Sequence, residues 1–300
     1  MNVLAAPFAQ NLSKGECGDT HRRRLNLTIN SGCLPSQGST IVALMWPFTS
    51  APFIPEEYSE WILQGFSWLI ENCGGYEELK RTPLITPTPE YFPNTDLKGH
   101  EFVAYMFEQV RKLAGLEDWP CVLEPHYEDE EPPQPHAAQG LTQHESIAGT
   151  FSEDHESGTA TITYDPALGR QPIALVATFA HELSHYLLHR VENPPPGGWE
   201  MSELATDLAA VFMGFGIFQA NSAFSFHQFT EGTTVGWRSS SRGYLSAPSL
   251  LFALAIFVVL TDADPKVAER HLNADLVGRY RRALKHAHSF FERIQAMKSL

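Results

Sequence analysis

Apolar residues in this chain recur mostly at helical spacing, with one clear case of strand-like alternation. After Pro55, the run EEYSEWILQGFSWLIEN places Trp61, Phe66, Trp68 and Leu69 at helical intervals. It predicts a helix over 55–71, ended by Gly74-Gly75. HEFVAYMFEQVRKLA repeats the pattern over 100–114 and stops at Gly115. Between them RTPLITPTPEYFP carries four prolines and reads as a loop packed through Tyr91 and Phe92. GTATITYD, over 158–165, alternates β-branched residues and predicts a strand. Pro172 then opens a long apolar helix, PIALVATFAHELSHYLLHR, ending near Glu192 ahead of Pro194-Pro195-Pro196-Gly197-Gly198. A further helix is expected over 200–215, and the polar, aromatic stretch 222–249 reads as irregular. Helices over 249–260 and 265–297 close the chain, the second with Asp264 as N-cap and Pro265 in its first position.

This order of elements predicts an α+β fold in four parts. Residues 1–40, rich in Ser, Gly, Thr and Asn, with a basic patch from His21 to Arg24, read as a flexible arm. A helical N-terminal region spans 41–116. Residues 117–140 read as an extended, acidic, proline-rich linker, because seven acids and no Lys or Arg fall between Glu117 and Glu131, and three prolines follow by Pro135. The remainder, 141–300, forms the last domain together with its C-terminal helices.

Composition narrows the picture. An apolar share of 43% over 300 residues excludes a wholly disordered or collagen-like chain. The net charge of −14 argues against nucleic acid and anionic membranes as partners. The longest apolar run, LLFALAIFVVL over 250–260, falls well short of the ~20 residues of a membrane span and reads as a core helix. The start of the chain lacks the pattern of a secretory leader, so a cytoplasmic location is expected. Four cysteines, all within the first 121 residues and none in a C-x-x-C pair, read as reduced thiols. Cys17, His21 and Cys33 fit no standard zinc-finger spacing. The charge is uneven: 265–300 carries +5 and the rest −19, which marks the last helix as a possible docking face on an acidic body.

The chemistry concentrates in His181-Glu182-Leu183-Ser184-His185, an H-E-x-x-H pattern inside the apolar helix. One helical turn separates the two histidines and brings their rings to roughly 6 Å along the axis, so both can ligate one zinc ion while Glu182 flanks it. Burying two His and a Glu among Leu175, Val176, Phe179, Leu183 and Leu187 would be costly without a metal. A catalytic zinc needs a third ligand and an open position. Glu203 and Asp207 stand four residues apart on the next helix, which the Pro/Gly turn can fold back onto the first. Glu203 is the favoured third ligand, and Asp207 the acceptor for the free ring N–H of a ligand histidine. Asp207 and Glu200 remain rivals for the third place.

LVATFAHELSHYLLH followed by ELATDLAAVFMGFGIF resembles the gluzincin metallopeptidases, and among them the cytosolic ImmA/IrrE-like group. The resemblance spans 159–218. It implies a zincin-like core, made of a small sheet, an active-site helix and a second ligand-bearing helix. It further implies His181, His185 and Glu203 as zinc ligands and Glu182 as catalytic base. Some gluzincins place a transition-state-stabilising Tyr between the second His and the Glu ligand. Here only Tyr186 lies there, on the wrong side of the helix. Tyr244 and His227, in the stretch that also holds Arg238 and Arg242, are the candidates for that role.

The expected activity is therefore zinc-dependent hydrolysis of a protein or peptide substrate, with limited cleavage of a regulatory protein as the variant that the resemblance suggests. The alternative is a zinc-containing regulatory or binding module without peptidase activity. A peptide deformylase, which would need a Cys ligand such as Cys121, is a third option with little support in the residues around that cysteine.

Overall fold

The computed structural model describes residues 52–126, 149–154, 159–230 and 244–300, the side chains of 224–230 excepted. The expectations for the arm 1–40, for Cys17, His21 and Cys33, for the later part of the acidic linker, for Arg238 and Arg242, and for the His227 side chain lie outside these residues.

The architecture is α+β, mostly helical, with one small mixed sheet. Helices α1 (Glu56–Asn72), α2 (Tyr76–Arg81) and α3 (Gly99–Leu113) come first. Three short strands follow: β1 (Cys121–Pro125), β2 (Gly149–Glu153) and β3 (Ala160–Tyr164). Next come α4 (Pro172–His189), α5 (Ser202–Ala210) and α6 (Gly216–Thr230). Helices α7 (Ala247–Leu260), α8 (Pro265–His271), α9 (Ala274–His288) and α10 (Phe291–Met297) complete the chain.

The sheet has the order β1-β3-β2, with β1 parallel and β2 antiparallel to β3. Only β3 has a fully buried face, with Ala160, Ile162 and Tyr164 inside. That is why it alone is visible as a pattern; β1 and β2 are edge strands with half-buried faces. The expectation of a solvated linker over 117–140 fails for Cys121–Pro125. This segment pairs with β3, and Leu116 just before it is fully buried. Arg111, almost fully buried, also holds this approach by donating to the carbonyls of Glu117 and Trp119 at 2.8 and 2.7 Å.

One hydrophobic core joins residues from α1 through α10. α4 crosses its centre, and α7 is apolar on all sides because it is buried on all sides. The run Trp199–Ala223 is long and apolar enough to cross a membrane, but 78% of its most apolar window is buried inside the fold.

Three helical predictions change in the structure. The helix expected over 200–215 does not end there. It turns sharply at Gly214, whose φ of 93° suits glycine, and resumes as α6 through 222–230, a stretch expected to be irregular. The cause is a crossing chain: Ile85 N–H donates to the Gly214 carbonyl at 3.1 Å, and a Cβ on Gly214 would lie 2.3 Å from the Pro83 oxygen. The single helix expected over 265–297 is broken twice. At the first break the buried Asn221 side chain donates to the His271 carbonyl and accepts from Asn273 N–H, at 2.9 and 2.8 Å. It thus satisfies the groups that a continuous helix would have paired. At the second, the Ser289 hydroxyl donates to the His286 carbonyl at 2.6 Å, beside the end of α9. The third change is the start of α7, at Ala247 rather than 249, where the Ser246 hydroxyl accepts from Ser249 N–H at 3.3 Å. Asp264 caps α8 as expected, accepting from Lys266 N–H at 2.9 Å.

Three of the eight C-terminal bases pair with acids of the fold. Arg281 pairs with Glu269, Arg293 with Glu60 and Lys298 with Asp262, so part of the positive charge is neutralised within the fold.

Candidate metal centre

Two helices build the site. α4 carries His181, Glu182 and His185, and α5 carries Glu203, Thr206 and Asp207. The turn between them reverses the chain through Gly197 and Gly198, at φ of 88° and 91°. Trp61 of α1 holds that turn by donating its ring N–H to the Pro196 carbonyl at 2.8 Å. The N-terminal region thus braces the site.

Three ligand atoms converge. His181 Nε2 and His185 Nε2 lie 3.1 Å apart. Glu203 Oε2 is 3.5 Å from the first and 3.6 Å from the second. A tetrahedral ion with bonds of about 2.0–2.1 Å requires ligand atoms about 3.3 Å apart. The three observed separations bracket that value, and a point about 2.0 Å from all three atoms exists, the length of a Zn–N bond. The cluster can hold a metal ion.

The outer atoms of the rings explain why the inner atoms can act as ligands. Asp207 accepts from His181 Nδ1 at 2.9 Å, and its other oxygen accepts from Leu245 N–H at 2.7 Å. The Thr206 hydroxyl gives its proton to the Ser202 carbonyl at 2.9 Å, so towards His185 Nδ1, 3.4 Å away, it acts as acceptor. Both Nδ1 atoms then carry protons, and both Nε2 lone pairs point inward beside the Glu203 carboxylate. Three electron-rich atoms at van der Waals distance repel one another unless a cation lies between them. In the metal-free site that cation is a proton. Burial opposes charge on His181, but its hydrogen bonds to Asp207 and Glu203, with the charges of Asp207 and Glu182, prevail and raise its pKa to about 10. Burial, with the charge on His181, pushes His185 down to about 4. Burial also opposes the charge on Glu203, but its hydrogen bond with His181 together with the charges on His185 and His181 outweighs this and lowers its pKa.

Glu182 lies beside the cluster and is not one of its three members. It is 5% exposed, and burial raises its pKa to about 7. Gly149, the first residue of β2, packs against it: a Cβ there would come 3.2 Å from Glu182 Cγ. Phe151 of β2 stacks on the His185 ring, with centroids 6.2 Å apart and planes 15° apart.

Of the sequence-predicted residues, the structure gathers His181, His185, Glu203, Glu182 and Asp207. The rivals for the third ligand fall away. Asp207 spends both oxygens elsewhere, and Glu200, exposed at the start of the turn before α5, is outside the cluster. Tyr244 lies over His181, with ring centroids 5.4 Å apart, and is 42% exposed. Tyr186 faces away from the metal side and donates to the Pro120 carbonyl at 3.0 Å. Cys121 is not in the cluster, and burial raises its thiol pKa to about 11, the opposite of a ligand thiolate. Sequence reasoning missed Thr206, Gly149 and Phe151. The first is within reach of pattern, as it sits next to Asp207; the other two belong to a strand that alternation does not reveal. Family models, curated proteins and solved structures alike return no match to this chain.

Proposed function

We propose that the chain is a zinc-dependent metallopeptidase of the gluzincin type, with the ImmA/IrrE-like group as the nearest pattern and a zincin-like arrangement of sheet and paired helices. The observation that carries this reading is the convergence of two Nε2 lone pairs and one carboxylate oxygen beside a buried, uncommitted acid–base group, Glu182. His181, His185 and Glu203 would hold the ion, and two nitrogens with one carboxylate suit zinc. When bound, zinc supplies Lewis-acid chemistry, lowering the pKa of water from about 15.7 towards ~7 and polarising a carbonyl. A structural zinc would call for a closed ligand set and no neighbouring base, which favours the peptidase over the binding module.

Glu182 does the proton work. Its carboxylate takes a proton from the attacking water and delivers it to the departing amide nitrogen, so that the carbonyl carbon gains a C–O bond as its C–N bond breaks. A pKa near 7 in the metal-free site, drawn lower by a cation alongside, leaves it ionised and able to return the proton at neutral pH. Asp207 and the Leu245 N–H tie the segment bearing Tyr244 to the site. From there the Tyr244 hydroxyl would donate to the oxyanion. Among the described residues β2 pairs with β3 alone, so its outer edge, starting at Gly149 next to Glu182, offers backbone groups to an extended peptide. A protein or peptide substrate, cut at a limited site, fits that edge.

The test is metal analysis of the purified protein, followed by cleavage assays on unfolded and native proteins with wild type and Glu182→Gln. Zinc near one equivalent in both and cleavage in wild type only is the expected result. Equal cleavage by both would overturn the role of Glu182, and zinc binding without any cleavage would favour the regulatory module.

A further inference from the structure

We propose that Thr206 is a positioning residue that sets the second histidine, His185, for metal binding. The inference rests on the metal-site reading above and adds a residue to it. Three features on one short helix carry it. α5 presents Glu203, Thr206 and Asp207 within two turns, so the ligand and both outer partners of the histidine pair come from one rigid piece. Thr206 is 1% exposed, and its one hydroxyl proton goes to the Ser202 carbonyl at 2.9 Å. That leaves only accepting capacity towards His185 Nδ1 at 3.4 Å.

The consequence for His185 is directional. A ring held by an acceptor at Nδ1 keeps its proton there and turns the Nε2 lone pair inward, as Asp207 does for His181. Phe151 stacks against the flat face of the ring and fixes its plane; the hydroxyl fixes which edge faces the ion. A methyl group of equal size at the hydroxyl position would fill the same space and lose the hydroxyl's two polar contacts, with His185 Nδ1 and with the Ser202 carbonyl, of which only the first reaches the metal site. Because the contact is long for an N–H···O bond, the effect belongs at the lower end of what an outer partner contributes, about tenfold in metal affinity.

The experiment compares wild type, Thr206→Val and Thr206→Ser. Two quantities are read: zinc affinity by competition with a chromophoric chelator, and exchange of the His185 Nδ1 proton with water by NMR. The expected result is zinc binding about tenfold weaker in Thr206→Val, with a rapidly exchanging Nδ1 proton, and both properties near wild type in Thr206→Ser. Wild-type affinity and an equally protected proton in Thr206→Val would overturn the proposal. If Thr206→Val does not fold, wild type still decides, because a His185 Nδ1 proton in free exchange with water excludes the hydroxyl as its partner. Exchange can be followed without metal. A wild-type protein that binds no zinc therefore counts against the metallopeptidase reading, while the Nδ1 proton still decides the role of Thr206.

Discussion

Changing Asp207 to Asn alters one atom and one charge, and the structure says where the damage should fall. The carboxylate accepts from two donors, His181 Nδ1 at 2.9 Å and Leu245 N–H at 2.7 Å. An amide has one accepting oxygen and one donating nitrogen. The backbone N–H at Leu245 cannot change sign, so it keeps the oxygen, and the NH₂ group turns to His181. The ring can meet it only by accepting at Nδ1, which moves its proton to Nε2, the atom that must ligate metal. Binding zinc then requires the other tautomer and forces an N–H against an N–H, in a site where both residues are buried. Losing a buried hydrogen bond to a charged group costs about 1.5–3 kcal/mol. At about 1.4 kcal/mol per factor of ten, zinc affinity should fall about 10- to 100-fold. Metal-free stability should also fall at neutral pH, because the amide satisfies both neighbours but no longer pairs with the charged His181 ring. Chelator competition measures the first quantity and thermal melting of the metal-free protein the second. Unchanged zinc affinity in Asp207→Asn would refute the tautomer argument, and a large drop in melting temperature with intact affinity would mean that Asp207 serves only the backbone at Leu245.

Two further predictions concern the same pocket. Gly149→Ala should keep zinc and lose most turnover, because the new Cβ would lie 2.8 Å from Thr178 Cγ2 and 3.2 Å from Glu182 Cγ and displace the base; full activity with normal zinc content would remove β2 from the account. In metal-free protein His181 titrates near 10, against 6.5 when unfolded, so its stabilising contribution is complete below pH 6.5 and is lost as pH rises towards 10. Burial raises Glu182 from 4.5 to about 7, so keeping it charged costs stability increasingly from pH 4.5 to 7, and its effect overlaps that of His181 at the low end of the window. Melting temperature without metal should therefore fall between about pH 7 and 10, whereas zinc-loaded protein, with an ion in place of the proton, should lack that fall; a flat metal-free profile would contradict the proton's role.

Much of the metal centre is legible in the residues alone. One helical turn fixes the spacing of His181 and His185, and the same rule puts Glu203 and Asp207 on one face of the next helix, because helix geometry is local and repeats every 3.6 residues. Helix starts marked by proline, at Pro172 and Pro265, are likewise local. Tertiary structure decided the rest. Which carboxylate joins the two histidines depended on how α5 lies against α4, for Asp207 is drawn away by its bond to Leu245, a residue 38 positions away. The kink at Gly214 is imposed by the chain at Pro83 to Ile85, and the break after His271 by Asn221, each a partner too distant for any pattern to show. The edge strands escaped for a related reason. A short edge strand with no fully buried face carries only a weak pattern, and its pairing with β3 identifies it. Periodicity records contacts within a few residues; the closing of this site depends on hydrogen bonds between segments that meet only in the folded chain.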